Sequence, residues 1–312
     1  MSGSSVALVV VYNHKYEKNI PTIEAIYRGR FENIFHLVPF HTGSEANVIA
    51  VYENSHRFQG YIAQGLRSFF RPHFTHYVFA ADDLVLHPGI SGANYRNFFR
   101  LDAQSSFIPR LESMPVDSRH WPSYRNALLF DPFNTYGVEV RRELPPAEEA
   151  ARRLQRHGVS GGDFTFEQVY GQLGTSLTPA GMKADARRLC RYLVDSVLHG
   201  GALRRTRYPL TRSYSDITVI SGACIRQFCH YCGVFAATDL FAEIAIPTAL
   251  ALATNRIVTE KDLALHGKEL WSVEEYQELN EYGHRLGELL RRFPSDCLYI
   301  HPVKLSSWTL AG

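Results

Sequence analysis

Residues Val6-Ala7-Leu8-Val9-Val10-Val11 form an unbroken apolar run dominated by β-branched side chains. A strand with one wet face alternates apolar and polar residues. A run without alternation is buried on both faces, as in a parallel sheet covered by helices. This commits the chain to a layered α/β architecture. Pro21 fits the first turn of a helix, and Ile23, Ile26 and Tyr27 recur at helical spacing. Residues 33–40 and 47–52 read as strands, 58–70 as a helix, and 76–86 as an apolar strand broken by Asp82 and Asp83. Strands alternating with helices imply a Rossmann-like parallel or mixed sheet with right-handed crossovers. Such sheets bind ligands at the carboxyl ends of their strands. That puts residues 12–15, 53–55 and 82–83 on one rim.

The middle of the chain changes character. Residues 111–146 are rich in prolines and aromatics, and 145–157 and 179–198 read as charged helices. The span 110–212 is expected to be a helical and loop insertion. Strand character resumes at 216–220. A long helix is expected over 238–254, an amphipathic helix over 272–292 and a short strand at 298–300. With 312 residues, 45% of them hydrophobic, there is ample material for a core. A net charge of +2 provides no field for nucleic acid. Residues 1–5 lack a basic region followed by an apolar stretch, so no signal peptide is expected. The longest apolar stretch, near 234–252, is interrupted by Asp239, Glu243 and Pro247 and makes a poor membrane span. Five cysteines form no disulfide framework, which favours a reducing cytoplasm. Cys229-His230-Tyr231-Cys232 has no second Cys pair to complete a zinc site and reads as buried thiols.

Three constellations carry chemistry. In His76–Leu86, two adjacent carboxylates interrupt a buried strand. Unpaired buried charge is costly, so these groups need cations or hydrogen-bond donors, and a divalent metal carrying a diphosphate supplies that need. Without it, the acids merely cap a loop. Asp239 and Glu243 stand four apart, which on one helix would put both on one face. Their apolar surroundings would raise a carboxylate's pKa toward general-base range. The bland alternative is that one caps a helix and the other pairs with an arginine. His301 follows a short apolar run, with Lys304 three residues on.

The acidic strand resembles the aspartate-rich element of nucleotide-sugar glycosyltransferases of the GT-A fold. Ala81 stands where the strict pattern has its first aspartate, so the register is open between 81–83 and 82 onward. The resemblance extends over roughly 6–100 and 214–308. It implies that Asp82, Asp83 and His301 ligate Mn²⁺ or Mg²⁺. It further implies that Tyr12, Asn13, Glu53, Gln64, Arg67 and Lys304 contact the donor, for example a UDP-sugar. Glu243 is then the first choice for general base and Asp239 the second, and a base of this kind implies inversion of configuration. On this reading 1–109 is the donor-binding half, and 213–312 is the acceptor-side half with a metal-binding tail. The acceptor is a glycan or lipid-linked glycan, as in bacterial polysaccharide or lipopolysaccharide synthesis. Tyr214-Ser215-Asp216 would line its cleft. Arg204, Arg205, Arg207 and Arg212 would meet phosphate, an anionic acceptor or a membrane surface. The rival enzymatic reading is a nucleotidyltransferase, but 12–19 lacks the glycines of its phosphate loop. The rival from another class is a non-catalytic nucleotide-sugar-binding subunit.

Overall fold

The computed structural model describes residues 5–114, 127, 130–133, 138–160, 190, 193–194, 197 and 208–310. It is a mixed α/β fold. Strands β1 (Val6–Val11), β2 (Ile34–Pro39), β3 (Val48–Val51) and β4 (His76–Ala81) build one half of a seven-stranded sheet. β6 (Ser106–Phe107), β9 (Ile217–Ser221) and β10 (Ile257–Val258) build the other, in the order β10-β6-β9-β4-β1-β2-β3. β9 runs antiparallel to both neighbours, and the other pairs are parallel.

The two-sided burial expected of β1 is literal. Ala7, Val9 and Val11 belong to one apolar core, while Val6, Leu8, Val10 and Tyr12 belong to another on the opposite face. Helices α2 (Gln59–Phe69), α5 (Ile225–Ala237) and α6 (Ala242–Ala253) cover the first face. Helix α1 (Ile20–Tyr27) covers the second, together with a three-stranded side sheet. The glycines of α2 serve this packing. A Cβ on Gly65 would lie 2.6 Å from Leu37 Cδ2, and one on Gly60 would lie 3.1 Å from Ala236 Cβ.

The break at Asp82 and Asp83 falls where expected, and it carries the chain from one sheet into another. β4 ends at Ala81, the chain turns through Asp82–Leu84, and β5 (Val85–Leu86) enters the side sheet β11-β12-β5. β11 is His266–Glu269 and β12 is Cys297–His301. Residues 76–86 are thus two strands joined by an acidic corner where two sheets meet. Ile300 pairs antiparallel with Val85. The next residue, His301, is therefore delivered beside that corner, and Val303 N donates to Asp83 O at 2.6 Å.

The expected long helix over 238–254 is shorter. α5 ends at Ala237, Asp239 adopts a left-handed φ of 65°, and α6 begins at Ala242. The expected helix over 272–292 is also broken. α7 (Val273–Glu278) and α8 (Leu286–Arg291) flank left-handed Gly283 and His284. Within 110–212, β7 (Glu112–Ser113) pairs with β8 (Thr211–Arg212), bringing the ends of the segment together. Helix α4 (Ala147–Arg156) packs against α6. The proposed helix over 179–198, apart from isolated positions, and the cluster Arg204, Arg205 and Arg207 lie outside the described residues. Cys229 and Cys232 are buried in α5, and burial pushes both thiols up, away from thiolate chemistry.

Candidate active site

Parallel strands end on a common rim, while an antiparallel neighbour begins there. That topology brings Asp216, immediately before β9, onto the end of β4. Ala81 N donates to Asp216 O at 2.8 Å, and Asp82 N donates to Val11 O at 3.0 Å. Asp82, Asp83, Asp216 and His301 thus gather from three strand ends and two sheets.

Asp82 is buried, and Asn19 Nδ2 donates to its Oδ2 at 3.2 Å. Burial, and then the charge of Asp83, push its pKa up to about 7. Asp216 is raised by burial first, with Asp83 adding repulsion, against the attraction of His301 and a hydrogen bond from Asn13. Burial alone would lower the pKa of His301, but the carboxylates of Asp83 and Asp216 outweigh it and the net shift is upward. His301 Nε2 lies 2.9 Å from Asp83 Oδ1 and 4.0 Å from Asp216 Oδ1. Even so, Asp83 Oδ1 and His301 Nε2 are both buried without a well-formed hydrogen bond. On the other side of the ring, the Tyr214 hydroxyl bonds His301 Nδ1. Tyr214 is itself stacked on Tyr299 at 6.1 Å, so the imidazole is held from behind.

Glu243 joins this group through a helix irregularity. Pro247 lies inside α6 and has no N–H to give to the carbonyl four residues back. That carbonyl belongs to Glu243 and accepts from Ser213 N instead, at 3.1 Å. The first turn of α6 is thereby tied to the segment leading to Asp216. Burial, then the charges of Asp216 and Glu269, push Glu243 up to about 8. Four acids thus gather around one imidazole, and burial with mutual repulsion favours the protonated form of three of them.

The carboxylate oxygens suit a hard divalent cation, and the imidazole adds a nitrogen donor more typical of transition metals. Asp83 Oδ1 and His301 Nε2 face each other at 2.9 Å as an ion pair without well-formed hydrogen-bond geometry, and both are atoms that could turn to a cation. Among the described residues, however, no group of three or more His, Cys, Asp or Glu side chains is placed so that it could hold a metal ion as it stands, so binding one would require these side chains to shift.

Other sequence-derived positions fall differently. Asn13 reaches the site through its bond to Asp216 and its backbone bond to Asp82. Tyr12 is enclosed and its hydroxyl bonds His36 Nδ1 at 3.0 Å, so it supports the rim from below and presents no face to a ligand. Glu53 stays on the rim, but its Oε1 accepts from Asn54 N at 2.8 Å and it pairs with Arg57 at 3.5 Å. Gln64 is occupied by the backbone of Tyr52, whose N–H it accepts at 2.8 Å. Arg67 is misplaced for donor binding. α2 runs opposite to the parallel strands, so Phe58 at its start lies by Ala81 and Asp216, whereas Phe69 packs on Tyr77 near the start of β4. The helix rise carries Arg67 roughly 12 Å from that first end. Lys304 lies in a groove of about 250 Å³ beside the corner, its ammonium 5.3 Å from the Tyr276 ring.

Asp239 does not share a helix face with Glu243. It sits in the α5–α6 loop and forms an ion pair with Arg57, more than half exposed. The spacing rule fails because the helix it presumes is interrupted between them. Arg212 pairs with Glu112 at 2.9 Å. Asn19, Tyr214 as the brace of His301, and Glu269 escape sequence reasoning altogether. Only Asp216 carried a legible signal, an acid directly before a β-branched run. No protein-family model matches the chain, and no curated protein matches it either. Among the described residues no helix is long and apolar enough to cross a membrane.

Proposed function

We propose that this chain is a divalent-metal-dependent glycosyltransferase that moves a sugar from a nucleotide-diphosphate donor to a hydroxyl of a glycan or lipid-linked acceptor. The observation that carries the proposal is the meeting of Asp83 Oδ1 and His301 Nε2 in a carboxylate-rich pocket, each buried and neither properly bonded. Asp82, Asp83 and His301 would hold Mn²⁺ or Mg²⁺, with Asp216 close behind. Such an ion supplies charge neutralisation for the departing diphosphate.

The chain's own residues supply the rest. Asn13 and Asn19 hold Asp216 and Asp82 in place. Tyr214 fixes the ring of His301 so that Nε2 faces the acids. Glu243 takes the proton of the acceptor's hydroxyl on a carboxylate oxygen, while the hydroxyl oxygen itself bonds to the sugar's C1. The bond from C1 to the diphosphate breaks, and its electron pair leaves with the nucleotide. Inversion at C1 follows from a base acting opposite the leaving group. Its raised pKa makes Glu243 a stronger base once ionised.

The test is a screen of purified protein against a panel of nucleotide sugars, with and without Mn²⁺, followed by product analysis. Turnover with at least one donor should require the metal and collapse in Asp83→Ala and Glu243→Ala. No turnover with any donor, or turnover indifferent to Asp83→Ala, defeats the proposal. Metal-dependent donor binding without turnover would instead favour a binding subunit.

A further inference from the structure

We infer that the cleft along the outer edge of the seven-stranded sheet is a second binding site, for a ligand carrying two or more phosphate or carboxylate groups. It measures about 920 Å³ and follows β10, the edge strand. Arg100, Arg156, Arg256 and Lys261 line it. Arg256 is neutralised by Asp102. Arg156 gives one N–H to a neutral group, Asn255 Oδ1, at 3.2 Å. Arg100 and Lys261 have no side-chain partner among the described residues. The one carboxylate in the lining, Asp262, is turned back on its own 3₁₀ turn, where it accepts from Thr259 N at 2.9 Å. The cleft is left with an excess of positive charge, and guanidinium and ammonium groups bind phosphate and carboxylate through charge-assisted hydrogen bonds.

A second observation comes from the backbone. Arg100 lies just beyond α3 (Tyr95–Phe98) in the left-handed region, with φ 49°. Leu101 N bonds Arg96 O at 2.9 Å, closing a helix cap whose left-handed position glycine fills without strain. An arginine held there, with its side chain on the cleft, points to a need for the guanidinium. Among the described residues the lining contains no Phe, Tyr or Trp on which a base or sugar face could stack, so their part in recognition rests on charge. The cleft is separate from the acidic centre. Glu260 hydrogen-bonds inward to the Tyr299 hydroxyl at 2.8 Å, while its neighbours Lys261 and Asp262 face outward.

Calorimetric titration of protein stripped of metal on a chelating resin, in a buffer free of polyanions, excludes metal-assisted diphosphate binding and tests this with two probes, inorganic tripolyphosphate and an oligogalacturonate. At least one should bind saturably and weaken steeply as salt rises from about 50 to 300 mM. The probe that binds tells a small phosphate compound from an acidic glycan as the source. The double variant Arg100→Gly with Lys261→Gln should bind at least about tenfold more weakly. Arg100→Gly alone should leave the melting temperature unchanged or higher, because glycine relieves the left-handed residue. Failure of both probes, or undiminished binding by the double variant, overturns the inference. A lower melting temperature for Arg100→Gly does so too, since the arginine would then serve folding.

Discussion

The acidic centre and the α5–α6 loop both place carboxylates near strand and helix ends, yet they handle charge in opposite ways. In the loop, exposed Asp239 meets half-buried Arg57, and water screens what the pair does not cancel. In the centre, Asp82, Asp83, Asp216 and Glu243 are drawn together, with His301 and, beside Glu243, Arg212 as the nearby positive groups among the described residues, and burial and mutual repulsion raise three of them. A folded chain keeps such an arrangement against its own stability. The comparison separates carboxylates that fasten the surface from carboxylates held together against burial and their own repulsion.

The sharpest break in that comparison is at Glu243. Glu243→Gln should lower transfer about a hundredfold or more, as for loss of a general base. Wild-type activity should rise with pH toward about 8 as Glu243 ionises, and this limb should vanish in the variant. A bound cation nearby would move the limb to lower pH. A pH–rate profile unchanged in Glu243→Gln would remove it from the role of base.

Asp83→Asn should lower transfer about a hundred- to thousandfold. It should also abolish Mn²⁺ binding measured by calorimetry. Full-strength Mn²⁺ binding by this variant would leave the buried corner without its assigned task.

Stability should show the same contrast. The pKa of Asp82 is raised from 3.8 to about 7 and that of Glu243 from 4.5 to about 8. The native state therefore binds these protons more tightly than the unfolded chain. Their contribution is complete below the unfolded values and is lost as pH climbs through 7 and 8. The melting temperature of metal-free protein should fall across that window, and Mn²⁺ should restore it by binding the native state. In the absence of metal, Asp82→Asn should flatten the fall. A melting temperature indifferent to pH between 5 and 8.5 contradicts the electrostatic picture of the centre.

The smallest effect is expected at the loop. Asp239→Ala should cost about 0.5 kcal/mol or less, a shift of no more than about 2 °C. Transfer should change by less than about twofold, the outcome opposite to that for Glu243 although both are acids four positions apart. A large loss of activity in Asp239→Ala would erase the distinction.

Much of the first hundred residues was legible. β1, β2, β3, α2 and β4 fall within the expected ranges because each is a short, strongly patterned segment whose neighbours repeat the pattern. The later half was less so. Nothing local told that α6 starts only at Ala242, or that Gly283 and His284 break the segment after α7. Arg67 illustrates a different failure: its helix was foreseen, but which end of it faces the rim depends on the direction of the strands it covers.

By itself, the sequence determined that an apolar strand buried on both faces runs through the centre of an α/β sheet, and that two acids break another such strand. Those are statements about residue type and spacing, and hydrophobic burial enforces them wherever the segment lies. Only the tertiary structure decided that Asp216 and His301 come to the same corner, that Glu243 joins them and that Asp239 does not. Strand order, one antiparallel strand and the pairing of β12 with β5 bring together residues more than two hundred positions apart. Charges that cost nothing in the unfolded chain acquire their repulsion, and their use, only when burial strips away the water between them.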